Sequence, residues 1–336
     1  MNTREWRSKL SRALIAGMAV VVGVAVVSEI VSDRDEGGAP VDVDPDPTFR
    51  SESFVVGHDP RDVIFDGEKL WVAESGFGTV TSYGLEGQRL DTADVDGQPA
   101  MLAAGGGFVW ALDADDGSVT QLDNNAEVLR HFQIGDQPVG MEFFGQHLWV
   151  TDPGRHSLSK ITLQGGLARL LEVGVSPGAI TKTPEQVLIA DGDSPTVTGF
   201  DAAGEIVGSF DYPGSLDIGG LTHVPGTPTA FLSTPESLWI AFGDIGQVMR
   251  LTPAGTYSGL TRVPTGPLSL AWGGDELWVA SADAGSVTRI SRDGEIIATH
   301  MLGGKPAGIA HDGEHAWIVD EDSNVLVMLT PLAIVP

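Results

Sequence analysis

GPLSLAWGGDELWVASADAGSVTRISRDG, residues 266 to 294, is one copy of a unit that recurs along most of this chain. A Pro opens a short apolar run, and a Gly/Asp turn follows. Then come Leu-Trp-Val, a turn rich in Gly, Asp and Asn, Val-Thr-x-Ile/Leu, and another turn. The Trp marks the copies at Trp71, Trp110, Trp149, Trp239, Trp278 and Trp317, at steps of 39 residues except for one of 90. Aligning Val187-Leu188-Ile189-Ala190-Asp191 with Leu70-Trp71-Val72-Ala73-Glu74 puts Leu188 at the Trp position and splits that step into 39 and 51. Seven units result, with 12 extra residues between the fourth and the fifth. Self-similarity at such a period marks a repeat architecture, and short apolar runs punctuated by Gly and Pro read as strands and turns.

Each complete unit predicts four strands: a after the Pro (Val139–Phe144), b with the Trp (His147–Thr151), c with Val-Thr-x-Ile (Ser157–Leu163), and d running toward the next Pro. Small residues in strand a, such as Gly140, Ala179, Ser269 and Gly308, suit the crowded centre of a ring. A Trp at a fixed place in strand b suits packing between blades better than one asymmetric ligand site. The last unit has only three strand-like runs, and residues 49 to 56, FRSESFVV, precede the first unit. That early strand is expected to complete the last blade and remove two open sheet edges. The fold class is therefore all-β: a seven-bladed β-propeller of four-stranded blades over 49–336, closed by an N-terminal strand and preceded by one N-terminal apolar helix.

Composition narrows the chemistry. The 336 residues carry a formal net charge of -27, 44 Gly, 20 Pro and no Cys. Without Cys there are no disulfides, thiolate metal sites or Cys nucleophiles. Strong acidity argues against nucleic acid as a partner, because phosphate binding needs Lys and Arg, and favours cationic or basic partners. Residues 1–12 are basic, with Arg4, Arg7, Lys9 and Arg12, and residues 13–27 carry no charge. A basic flank before an apolar run places the N-terminus inside and the rest of the chain outside. Segment 13–31 reads as an uncleaved signal anchor, with a cleaved signal peptide and a secreted protein as the alternative. Residues 32–48 are acidic and Gly/Pro-rich, the composition of a disordered linker.

The repeat P-x-x-(I/L/M)-x-x-x-G-x-x-L-W-V-x-(D/E)-x-x-x-G-x-V-x-x-(L/I), seen in PRDVIFDGEKLWVAESGFGTVTSYGLEG and PAGIAHDGEHAWIVDEDSNVLVML, resembles the YncE-like, YVTN-type repeats. It is also similar to the streptogramin (virginiamycin B) lyase-like propellers. The resemblance covers about residues 49 to 331 and implies seven four-stranded blades around a channel. It leaves activity open, since one propeller fold hosts enzymes, sensors and binding proteins. The lyase relatives use His and Glu near a bound metal, and no such set matches here residue by residue. The nearest cluster, His311, Glu314 and His315, falls in an a–b turn.

Two features on the face of the d–a and b–c turns are candidates for a site. The 12-residue insertion, at Tyr212–Thr227, offers Tyr212, Asp217 and His223, and neighbouring d–a turns add His58, Asp59, Asp136 and Lys305 as candidate ligand-binding residues. Three residues past the Trp position stand Glu74, Asp113, Asp152, Asp191 and Asp320, a series broken by Phe242 and Ser281. These carboxylates either capture a cation such as calcium or magnesium or bond the backbone of the next turn. No cofactor is otherwise implied. No nucleophile elbow, phosphate loop, HExxH or dinucleotide fingerprint is present, and the adjacent His156 and Ser157 say little. The favoured expectation is a single-pass membrane protein whose extracytoplasmic propeller binds a protein or small-molecule ligand as sensor or scaffold. The alternatives are a metal-dependent lyase or hydrolase with its site on the insertion face, and a purely structural envelope protein.

Overall fold

A computed structural model describes residues 49–214, 216–218, 221–223 and 226–332. The basic segment 1–12, the apolar segment 13–31 and the acidic linker 32–48 lie outside the described residues. Among the described residues no helix is long and apolar enough to cross a membrane.

The described chain begins with β1 (Phe49–Val55) and then runs through seven groups of four or three strands. Blade one is β2 (Pro60–Phe65), β3 (Leu70–Glu74), β4 (Thr79–Tyr83) and β5 (Arg89–Asp94). Blade two is β6 (Pro99–Gly105), β7 (Phe108–Asp113), β8 (Ser118–Leu122) and β9 (Val128–Gln133). Blade three is β10 (Gly140–Phe144), β11 (His147–Asp152), β12 (Ser157–Thr162) and β13 (Leu167–Glu172). Blade four is β14 (Pro177–Lys182), β15 (Val187–Asp191), β16 (Thr196–Phe200) and β17 (Ile206–Asp211). A two-stranded ribbon, β18 (Leu216–Ile218) and β19 (Leu221–His223), interrupts the pattern. Blade five is β20 (Pro228–Ser233), β21 (Leu238–Phe242), β22 (Gln247–Leu251) and β23 (Tyr257–Arg262). Blade six is β24 (Pro267–Gly273), β25 (Glu276–Ser281), β26 (Ser286–Ser291) and β27 (Ile296–Met301). The last group is β28 (Pro306–His311), β29 (Ala316–Asp320) and β30 (Val325–Pro331).

Each blade is one antiparallel sheet in the order a-b-c-d. The seventh sheet has the order β1-β30-β29-β28, with Phe49 opposite Pro331 and Val55 opposite Val325. The first strands of neighbouring blades touch one another all the way round, including β28 against β2, so the a strands form the inner wall. Gly308 shows why small residues stand there. A Cβ on it would lie 2.8 Å from the Cα of Asp62 and 2.9 Å from the N of Val63 in the next blade.

The Trp side chains are the core. All six repeat Trp are 0% exposed, and each leans from its own blade into the next. Trp149 packs with Val187, Ile189 and Phe200 of blade four. Trp317 packs with Val63, Leu70 and Val72 of blade one. Leu188, filling the Trp place in blade four, packs with Phe231, Leu238 and Ile240 of blade five. A buried indole N–H needs an acceptor, and five of the six find one five residues upstream. Trp110, Trp149 and Trp278 donate to the carbonyls of Gly105, Phe144 and Gly273. Trp71 and Trp317 donate to the carboxylates of Asp66 and Asp312, each at 2.7 Å. Asp312 also accepts from the backbone N of Glu314 and His315. The His311, Glu314 and His315 cluster is thus built around a turn that seats a Trp, and burial holds the His311 imidazole below its ordinary value.

Candidate functional site

In this up-and-down order the d–a and b–c turns share one face. The carboxylate three residues past the Trp position ends strand b on that face, and it is buried in all five blades that have it. Its two oxygens do different things. One caps its own b–c turn: Asp152 accepts from Arg155 N at 3.1 Å, Asp113 from the N of Asp115 and Asp116, Asp191 from the N of Asp193 and Ser194, and Asp320 from Ser323 N at 2.8 Å. The other reaches across the blade to the d–a turn: Asp152 accepts from Asp136 N at 2.8 Å, Asp191 from the N of Val175 and Ser176, and Asp113 from Gln98 N. Glu74, one methylene longer, accepts from Gly57 N at 2.8 Å, from the hydroxyls of Thr79 and Thr81, and from Tyr83 Oη at 3.0 Å. Burial opposes ionisation of Asp191, but four backbone N–H groups outweigh it and hold the carboxyl below its ordinary value.

These five residues are therefore turn clamps, each used within its own blade. Among the described residues no group of three His, Cys, Asp or Glu is arranged to hold a metal ion. A calcium or magnesium ion needs several free oxygens within a few ångströms, whereas the oxygens of Glu74, Asp113, Asp152 and Asp191 already accept backbone or hydroxyl hydrogens.

Two elements of the clamp escaped the sequence reading. Each d–a turn has a Gly (Gly57, Gly97, Gly135, Gly174, Gly226, Gly266, Gly304) where an added Cβ would overlap a carboxylate. In blades five and six, where Phe242 and Ser281 break the carboxylate series, the acid facing that Gly is Asp244 or Asp283. Asp115, Asp193 and Asp322 hold the same repeat position in blades two, four and seven, and all five of these side chains are exposed. The signal was a second Asp column two residues beyond the first, recognisable only once the b–c and d–a turns are known to meet.

The candidate ligand-binding residues are only partly brought together. Asp59, in a left-handed turn at φ +54°, donates its N–H to the Asn324 side chain and pairs with Arg61 at 3.0 Å. Arg61 also reaches Glu321 at 3.4 Å, and Glu321 pairs with Lys305 at 2.9 Å. Lys305 and Asp59 are thus linked across the junction of blades seven and one, beside an exposed His58 whose carbonyl accepts from Gly76 N. Asp136 stands two blades away, paired with Arg155 at 2.6 Å, whose hydrogen bond holds its carboxyl below the ordinary value. Tyr212 corrects an expectation. Its ring is 3% exposed and packs 5.8 Å from Phe242 in the core between blades four and five. Burial, then the charge of Asp191, pushes its hydroxyl up to about 12. The insertion begins only after this anchored ring, and it forms a ribbon in which Asp217 lies opposite Thr222 and His223 opposite Leu216. Beside Arg61, a shallow hollow of about 160 Å³ is lined by Ser75, Gln98, Ala100, Ala114 and Asp115 at the mouth between blades one and two.

No family model and no curated protein sequence matches this chain. Its structural neighbours include streptogramin B lyases and other β-propellers. Virginiamycin B lyase from Staphylococcus aureus superposes with a TM-score of 0.71 at 18% identity, covering 84% of this chain and 100% of that one. A streptogramin B lyase structure gives 0.70 at 17% identity, covering 85% and 99%. The β-propeller domain of Myceliophteria thermophila Cps50 gives 0.67 at 12% identity, covering 85% and 99%. At such identities the likeness is one of fold.

Proposed function

We propose that this chain is a membrane-tethered, extracytoplasmic propeller that binds a partner, protein or small molecule, on the face of its d–a and b–c turns, as a sensor or scaffold. In this reading residues 1–12 remain cytoplasmic, 13–31 anchor the chain, 32–48 form the stalk, and the propeller closes through its N-terminal strand. Cleavage after the apolar run, giving a secreted protein, is the alternative. The observation that carries the binding reading is how this face uses its acids. The inner ring of carboxylates is consumed by turn clamps, while Asp115, Asp193 and Asp322 of the outer column face solvent, as do the exposed Asp244 and Asp283 that stand beside the d–a glycines of blades five and six. Of the Lys and Arg at this end, Arg61, Arg155 and Lys305 are already paired with acids. An unneutralised acidic face steers cationic partners, and irregular loops on a rigid ring are common recognition elements.

The test is capture by the detergent-solubilised full chain, compared with a variant in which residues 213–226 are replaced by the short d–a turn of blade two. A partner retained by the parent and lost by the variant, at an unchanged melting temperature, supports the reading. Undiminished capture by the variant sinks the role of the insertion face.

The second reading is a metal-dependent lyase or hydrolase, and its support is the backbone likeness to the lyases. Incubation with virginiamycin B or quinupristin, with and without added magnesium, separates the two. Consumption of either compound, followed by mass spectrometry, moves the reading to catalysis.

A further inference from the structure

The outer strands carry a pattern that the proposed binding face does not use. The residue opening strand d is a large apolar group in five of the six blades whose d strand follows c directly: Val128, Leu167, Ile206, Tyr257 and Ile296, with Arg89 as the exception. All five are exposed, Leu167 at 62% and Ile206 at 64%. Equivalent positions in a ring lie at one level, so these side chains form a collar just above the c–d turns. Val55, Phe77, Val139, Val175, Leu268 and Met301 are exposed at the other end, but there no repeat position is an exposed apolar group in more than two blades: Val139 and Leu268 share one, Val55 and Met301 another. Singly scattered exposed apolar groups need no explanation, whereas the same position exposed and apolar in five blades is a pattern that calls for one.

Two further observations belong to the same end. All Lys and Arg of the described chain except Arg61, Arg155, Arg262 and Lys305 lie on the half toward the a–b and c–d turns. Acids outnumber bases on both halves, but the excess is larger toward the d–a turns, so the ring is more negative at that end than at the other. Moreover β1 begins at Phe49 opposite Pro331, the end of a c strand, so the chain enters the propeller from the collar end. Only residues 32–48 separate that entry from the apolar segment 13–31. Seventeen residues span about 55 Å at most.

We propose that the collar end rests on the lipid surface, with the collar residues at the headgroup boundary and the acidic d–a face directed away from it. This rests on the tethering reading above. Apolar side chains gain from shallow burial at the interface, and a less negative face is repelled least by anionic lipid. The collar thereby sets which face a partner can reach.

The chain has no Cys, so single labels are clean. Full-length chain carrying Ile206→Cys, Leu167→Cys, Asp115→Cys or Asp193→Cys, each with an environment-sensitive fluorophore, is reconstituted in phosphatidylcholine–phosphatidylglycerol vesicles containing a headgroup-attached quencher. All four positions are exposed, and an unchanged melting temperature confirms each variant. The expected result is several-fold stronger quenching at 206 and 167 than at 115 and 193. Equal or reversed quenching in chain that withstands alkaline carbonate extraction overturns the orientation and leaves the anchor intact. Chain released by carbonate overturns the anchor and the orientation with it. Protection of the collar labels by a bound protein, without quenching, assigns the collar to a protein partner and also overturns the proposal.

Discussion

Blades one and six follow the same strand plan and hold their turns by different means. In blade one, Glu74 gathers four hydrogen bonds, from Gly57 N, Thr79, Thr81 and Tyr83. In blade six the same position is Ser281, directly opposite Ser286 in the register. Both serines are 0% exposed, and neither hydroxyl has a hydrogen-bond partner among the described residues. The carboxylate has moved two residues on, to Asp283, where it meets Gly266. The inner wall differs in parallel. Asp62 of blade one accepts from Val63 N and Leu102 N, both at 2.8 Å, while Ser269 in the same place accepts from Ile309 N at 3.2 Å. At each junction a carboxylate stands beside a glycine that leaves it room, and the repeat takes that carboxylate from different residues.

Beneath this difference both blades stand on the same kind of core, and the largest expected effect tests that. Trp71→Ala and Trp278→Ala each remove a fully buried indole that bridges two blades. Each is expected to lower the unfolding free energy by about 3–5 kcal/mol, read from urea titration. Equal losses mean that the differing clamps are laid over a common core. A loss confined to one blade breaks the comparison at its base.

The wall residues come next. Asp62 is half-buried between the first strands of blades one, two and seven, and burial pushes its carboxyl up from 3.8 to about 7, against the two backbone hydrogen bonds that favour ionisation. A folded value above the unfolded one means that the folded state holds the proton longer, so stability falls as pH rises from about 4 to 7 and the full cost is present above that. Asp62→Ser, which installs the blade-six residue, is expected to lose this pH dependence while keeping one acceptor. Parallel stability curves for parent and variant from pH 4 to 8 would sink the account. Asp191, held low, acts in the opposite sense. Its stabilisation is present above its unfolded value and is lost as pH falls through the folded one.

Glu74→Ala is expected to cost about 1–3 kcal/mol, since it strands buried donors rather than removing a matched pair. A spectroscopic signature accompanies it. Burial and the Glu74 charge both push the Tyr83 hydroxyl up, so ultraviolet titration of the variant should show Tyr83 ionising at lower pH than in the parent. A normal Tyr83 titration in the parent would remove Glu74 from this role.

How much of this was legible in the chain depends on which atoms carry the information. The seven-fold plan was, because Trp71 to Trp317 recur at a fixed step and their role is set by size and burial. Leu188 was recoverable because its neighbours kept the pattern. The clamp was only half legible. Asp152 could be seen as a turn former, but its second partner, the N–H of Asp136, lies 16 residues earlier and is met only across the blade top. Tyr212 misled because it counts as an insertion residue by alignment, yet its ring finishes the core of blade five before the irregular chain begins. The outer Asp column was missed because Gly76 and Gly154 interrupt it, and because in blades five and six Asp244 and Asp283 face glycines, which have no side chain to signal the contact.

The smallest expected effect is the sharpest test of what blade six lacks. Ser281→Ala removes a buried hydroxyl that no described residue satisfies, at a site sealed by its neighbours. Loss of an unpartnered polar group costs no hydrogen bond and relieves its desolvation, so the change should be neutral or stabilising by less than about 0.5–1 kcal/mol. Glu74→Ala, at the same repeat position, is expected to be clearly destabilising. If Ser281→Ala instead costs as much as Glu74→Ala, a bound water or ion joins Ser281 and Ser286. Blade six would then hold its turn through a third party, where blade one uses its own side chain.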